Sequence, residues 1–139
     1  LTRSEREADL VVKMAGRAAE EYHLDGDYTH GAVGDFAAAT ALAIRMVTEF
    51  GMSDLGPTSW ASYTQLGSGQ ADRIGEAVDH LLDQALAAAR ELIAGNVPLV
   101  EALVAELLRE ETVTGTELTE LATRIGALSP AYAIENRDF

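Results

Sequence analysis

The chain has no cysteine among its 139 residues. That excludes a disulfide framework, a thiol nucleophile and any thiolate metal site. Proline occurs only three times and aromatic residues make up 6%, so the β-branched and aromatic clusters that favour sheets are scarce. Basic residues are also few, 10 Lys and Arg against 23 Asp and Glu, for a formal net charge of −13. Phosphate backbones repel such a surface, which argues against nucleic acid as a partner. The charge instead keeps a folded domain soluble. No unbroken apolar run of about 18 residues occurs, so no membrane-spanning helix is expected within the chain, and no signal peptide is expected either. The first residue is Leu1 rather than Met, as in a trimmed or excised segment.

What is present points to helices. Apolar residues make up 47%, many of them alanine, and charged residues 24%. This is the composition of one globular, alanine-rich domain over residues 1–139. Thr2 and Ser4 each precede a glutamate by three positions, Glu5 and Glu7, so a capped helix starts here. Val11, Met14, Ala15, Ala18 and Tyr22 recur at helical spacing and predict its buried face. HLDGDYTHG (His23 to Gly31) reads as a loop. A second helix is predicted from about Asp35 to Phe50, with Phe36, Ala39, Ala43, Val47 and Phe50 inward and Gly51 as its left-handed stop. Asp54 to Gly69 reads as an ordered, irregular loop with room for a short strand. A third helix is predicted from about Ala71 to Ala94. A fourth follows Pro98, with a seam of Leu99, Val100, Leu103, Val104, Leu107 and Leu108. The short joint between these two predicts an antiparallel hairpin. Thr114 and Glu117 cap a short fifth helix around Glu117 to Ile125, and a tail follows Ser129. The expected fold is an all-α bundle of about five helices with a long antiparallel hairpin and one irregular loop.

Candidate chemistry is sparse. The three histidines are His23, His30 and His80. None are spaced i, i+4, so no helix presents two imidazoles to one metal. A site from His23, His30 and a loop carboxylate such as Asp25 or Asp27 ranks below the plainer reading of unrelated surface histidines. There is no G-x-S-x-G elbow. GSGQADRIG (Gly67 to Gly75) lacks the lysine of a phosphate loop and reads as the start of a helix. Asp35, after Gly31 and Gly34, stands at the start of the second helix. There a carboxylate can simply cap backbone N–H groups and meet the helix dipole.

Three ordered blocks give Asp35 a second reading. They are AGRAAEEYHLDGDYTHGAVGD (Ala15 to Asp35), FAAATALAIRMVTEFGMSDLGP (Phe36 to Pro57) and GEAVDHLLDQALAAARELIAGNVPLVEALVAELLREETVTGTEL (Gly75 to Leu118). In content and separation they resemble the C-terminal part of the peptidase domain of FtsH-type zinc proteases; RMVTEFGMS (Arg45 to Ser53) is the most specific stretch. The resemblance implies that Asp35 is the third protein ligand of a catalytic zinc. The two histidine ligands and a general-base glutamate would come from an H-E-x-x-H helix earlier in the parent protein, a motif this chain lacks. Departures are local. His30, Val33 and Gly34 replace the family's usual threonine, serine and asparagine, and a lysine between Asp54 and Leu55 is missing.

By the same resemblance, the parent is an ATP-dependent endopeptidase acting on unfolded or membrane polypeptides. It would be a homo-hexamer whose ATP and magnesium belong to an AAA+ domain outside this chain. Membrane anchoring, with the domain on the cytoplasmic side, would also rest on segments outside it. The chain alone is expected to bind no cofactor and to be inactive. A non-catalytic scaffold that has lost zinc is the alternative. An unrelated helical interaction module is a third reading, which leaves the three matched blocks unexplained.

Overall fold

The structure is a computed structural model and describes residues 1–110. Four helices carry these residues: α1 (Arg3–His23), α2 (Val33–Thr48), α3 (Ser68–Gly95) and α4 (Val97–Glu110). There is no strand among the described residues, and the 54–69 segment is the expected irregular loop, with a 3-10 turn at Trp60–Ser62 where there was room for a short strand. The expected fifth helix, its Thr114–Glu117 cap and the tail lie outside the described residues.

The start of α1 follows from the first of its two candidate caps. The Glu5 N–H donates to the Thr2 hydroxyl oxygen at 3.2 Å, and the Thr2 N–H donates to the Glu5 carboxylate at 2.6 Å. Two otherwise orphaned backbone donors are thereby satisfied. Glu7 of the second candidate pairs with Arg3 instead. Leu10, Met14 and Ala18 are the buried residues of α1. Tyr22, expected on this face, is 48% exposed. In the last turn the inward place belongs to Glu21, whose partner is Arg90 of α3.

α2 begins two residues earlier than its pattern predicts. A 3-10 turn at His30–Ala32 leads directly into it, and Ala32 takes the N-cap position without a side-chain bond. Two adjacent rows of α2 are buried, Ala39, Ala43, Val47 and Leu42, Met46, because the helix packs against both α1 and α3. The expected inward residues Phe36 and Phe50 pack at the margin of this core. Gly51 does take the left-handed conformation (φ 64°), and a Cβ there would stand 3.2 Å from the Pro57 Cα. A side chain at 51 would thus be strained by both conformation and space. By length and composition alone His30–Thr48 passes for a membrane span, with mean hydropathy 1.2. The expectation drawn from unbroken apolar runs is not overturned by this, because a core helix passes the same test. Within the fold its apolar rows are core contacts.

α3 opens at Ser68, three residues before its predicted start, where the Gly67 N–H donates to the Gln70 side chain at 2.9 Å. It packs most extensively along α1 and then α2, burying Val78, Leu81, Ala85 and Ala89. Its contact with α4 is slight. The extended pairing in the described residues is therefore α1 with α3, not the expected α3–α4 hairpin. Asn96 joins them: buried, it donates its side-chain amide to the Leu92 carbonyl at 2.8 Å. Pro98 falls in the first turn of α4, where its missing N–H costs little.

Charge locks α1 to α3. Arg90 donates to the two carboxylate oxygens of Glu21 at 2.7 and 3.1 Å, and Arg17 donates to the same carboxylate at 2.8 Å. The side chains of Arg17 and Glu21 are only 15% and 13% exposed. Hydrogen bonds from Arg90, then from Arg17, hold the Glu21 carboxyl down from its ordinary 4.5 to about 2, against the opposing cost of burial.

Two predictions follow from this packing. Met46 and Ala43 are both fully buried. Met46→Ala should destabilise by about 2–5 kcal/mol through a cavity, and Ala43→Leu by about 1–3 kcal/mol through overpacking, both read from denaturant midpoints. The depressed Glu21 carboxyl makes the unfolded chain bind more protons below pH 4.5. Its stabilisation is therefore complete above that pH and is lost as pH falls toward about 2. Glu21→Gln should cost about 1–3 kcal/mol at neutral pH and flatten the acid limb of stability over that window.

Candidate metal-ligand site

The corner around Asp35 is built by the end of α1 and the chain reversal after it. Asp25 (φ 53°) and Gly26 (φ 94°) adopt left-handed conformations that turn the chain back. The Gly26 N–H donates to the Glu21 carbonyl at 2.6 Å. The returning strand of loop is then fixed by Glu20, whose carboxylate accepts both the Thr29 hydroxyl and, at 3.4 Å, the Thr29 N–H. Thr29 in turn accepts the Gly31 N–H at 3.1 Å, which starts the 3-10 turn before α2.

Asp35 is the third residue of α2 and is exposed. It is not the cap of its helix, a place held by Ala32. A carboxylate in this first turn is still favoured by the positive end of the dipole. Its Oδ2 lies 3.7 Å from where a Cβ on Gly16 of α1 would stand, an ordinary contact distance, so the carboxylate sits against α1 at this point. Among the described residues no hydrogen bond or ion pair engages the Asp35 carboxylate. Arg17, one residue from Gly16, places its guanidinium 3.1 Å from the Tyr28 ring centroid and 5.5 Å from that of Phe36.

The histidines stay apart. His23 ends α1, His30 opens the 3-10 turn, and His80 on α3 stands 3.8 Å from Asp54. No group of three His, Asp or Glu side chains among the described residues is close enough to share an ion. The constellation of His23, His30 and Asp25 or Asp27 is therefore not assembled. A groove of about 270 Å³ near His80 is walled by charges of both signs, Arg3, Arg73, Asp54 and Glu76, and does not include Asp35. Gly67 to Gly75 is the helix start that its composition suggests. The supporting residues Arg17, Glu20, Glu21 and Thr29 escaped the sequence reading. Glu20 and Glu21 do stand in a matched block, but nothing local tells that one binds Thr29 and the other reaches Arg90, 69 positions away.

The profile of peptidase family M41 matches residues 1–121. An ATP-dependent zinc metalloprotease FtsH of Neorickettsia risticii is 36% identical over 127 residues, covering 86% of this chain and 20% of that protein. The chloroplastic ATP-dependent zinc metalloprotease FTSH 2 of Arabidopsis thaliana is 35% identical, covering 94% of this chain and 20% of its own length. ATP-dependent zinc metalloprotease FtsH 4 of Sorangium cellulosum is 35% identical, covering 99% and 24%. The chain thus spans about a fifth of the length of the curated relatives it matches. The match to the family profile runs through all four described helices, Asp35 included, and the chain belongs to peptidase family M41.

Proposed function

We propose that this chain is the helical part of an ATP-dependent zinc metalloendopeptidase and that Asp35 is one of its zinc ligands. The observation that carries the reading is the setting of Asp35. It lies within the M41 match, exposed, in the first turn of a helix held by α1, with no partner among the described residues. A lone free carboxylate fits one position of a catalytic zinc site, which takes three protein ligands and keeps a fourth position open. The described residues offer no complete ligand group. By the resemblance to FtsH-type proteases, the other ligands and the general base are assigned to an H-E-x-x-H helix outside this chain. Bound zinc would supply an acidified water and polarise the scissile carbonyl. The part of this chain is to present one carboxylate from the first turn of a helix.

On this reading the substrates are polypeptides, and ATP and magnesium act through a motor domain outside the chain. The working unit is a homo-hexamer, anchored by segments that also lie outside. A scaffold without catalysis is favoured by one observation only. The HGAVGD loop puts Val33, 68% exposed, and Gly34 where the family carries polar residues.

The two readings separate in the complete protein. Stoichiometric zinc with casein hydrolysis is the expected result, and a folded, zinc-free, inactive protein would leave the scaffold. Asp35→Asn should weaken zinc binding by more than the roughly 10–100-fold cost of losing an outer-shell partner. Casein hydrolysis should fall with it. Unchanged zinc affinity in the Asp35→Asn protein would remove the ligand assignment.

A further inference from the structure

We infer that Arg17 is the positioning residue for Asp35, acting through Tyr28 and Phe36, with Glu21 and Arg90 holding Arg17 in place; this rests on the reading of Asp35 as a zinc ligand. The geometry is a continuous chain of contacts. The Arg17 guanidinium is fixed from one side by the Glu21 carboxylate at 2.8 Å, which two bonds from Arg90 pin to α3. On its other side it covers the Tyr28 ring at 3.1 Å and reaches the Phe36 ring at 5.5 Å. Tyr28 belongs to the segment that enters the 3-10 turn, and Phe36 directly follows Asp35. A single planar cation therefore grips both sides of the turn that aims the carboxylate.

Arginine suits this place for physical reasons. Its planar, delocalised charge can bond a carboxylate along its edge while stacking on aromatic faces. Lysine offers a point charge and cannot do both at once. Tyr28 is 52% exposed, so burial of apolar surface alone does not fix its ring; the cation beneath it does. The consequence is specific to the metal. With Arg17 gone, α2 still has its buried rows, but the first turn and the loop before it lose their shared anchor. The ligand would then sample several directions, and its affinity for zinc would fall while the fold remained.

The test uses the complete protein, with zinc affinity from chelator competition and the visible spectrum of the cobalt(II)-substituted form, which reports ligand geometry. Arg17→Ala should weaken zinc binding by roughly 10-fold, the lower end of what lost outer support costs, and should weaken or shift the cobalt bands. Tyr28→Leu should do the same to a smaller degree. Arg3→Ala, which removes an exposed ion pair at the far end of α1, should change neither readout. If Arg17→Ala does not fold, Tyr28→Leu decides, because half of that side chain already lies in solvent. Wild-type zinc affinity and cobalt spectrum in folded Arg17→Ala and Tyr28→Leu proteins would overturn the positioning role. If Asp35→Asn nonetheless lost zinc, the ligand assignment would stand without it. An Asp35→Asn protein with unchanged zinc affinity would overturn both.

Discussion

The carboxylate of Glu21 receives three hydrogen bonds from two arginines, and the rest of the described fold is arranged around that junction. Arg90 brings α3, Arg17 brings the aromatic rings of the loop and of α2, and Glu21 itself sits in the last turns of α1. A charge buried to this degree is costly unless it is paired and hydrogen-bonded. Here both oxygens are engaged, so the pairing is specific as well as favourable. An apolar contact at the same place would have tolerated sliding of α1 along α3. A bidentate arginine does not.

Below that junction the core is made of small side chains. Ala18, Ala39, Ala43, Ala85 and Ala89 are buried beside Leu10, Met46 and Val47. Alanines on facing helices let the axes approach, while the larger residues fill the gaps between layers. This explains why α2, with its apolar composition, is a core helix wedged between two neighbours. Its segment satisfies the length and hydropathy of a membrane span, and the third of it that is buried packs against α1 and α3. Composition alone does not distinguish the two uses; contacts do.

Much of this was legible in the sequence because the relevant signals are local. The Thr2–Glu5 box, the Gly51 stop, the third helix and Pro98 at the start of the fourth all depend on neighbours within one or two turns. The errors share a physical origin. The period of Met14 and Ala18 runs on to Tyr22, but a long-range ion pair gives the last inward position to Glu21. α2 gained two residues at its start because the preceding 3-10 turn feeds into it, a continuity that loop-rich composition hides. The expected hairpin rested on the shortness of the α3–α4 joint. A short joint fixes adjacency of the ends, not packing along the lengths. At the site, Asp35 stood out through its motif, whereas Arg17 and Glu20 looked like ordinary helix-surface charges.

If Asp35 is the zinc ligand proposed above, its placement bears on how a metal site can be divided between segments. A ligand supplied alone must be ionised, accessible and directed before the other ligands arrive. Asp35 stands in the first turn of α2, at the positive end of the helix dipole. Freedom from competing donors in the described residues leaves both oxygens accessible. Direction is the hardest requirement, since an exposed carboxylate rotates freely and its backbone lies next to a loop. α1 backs the carboxylate at Gly16, the Glu20–Thr29 bond fixes the approach of the chain, and the stacked Arg17 holds the rings that flank the turn. Ordering this corner before metal arrives means that binding need not bear the entropy of ordering it. Under the proposed reading, these contacts let the helical scaffold hold its one candidate ligand in a usable place.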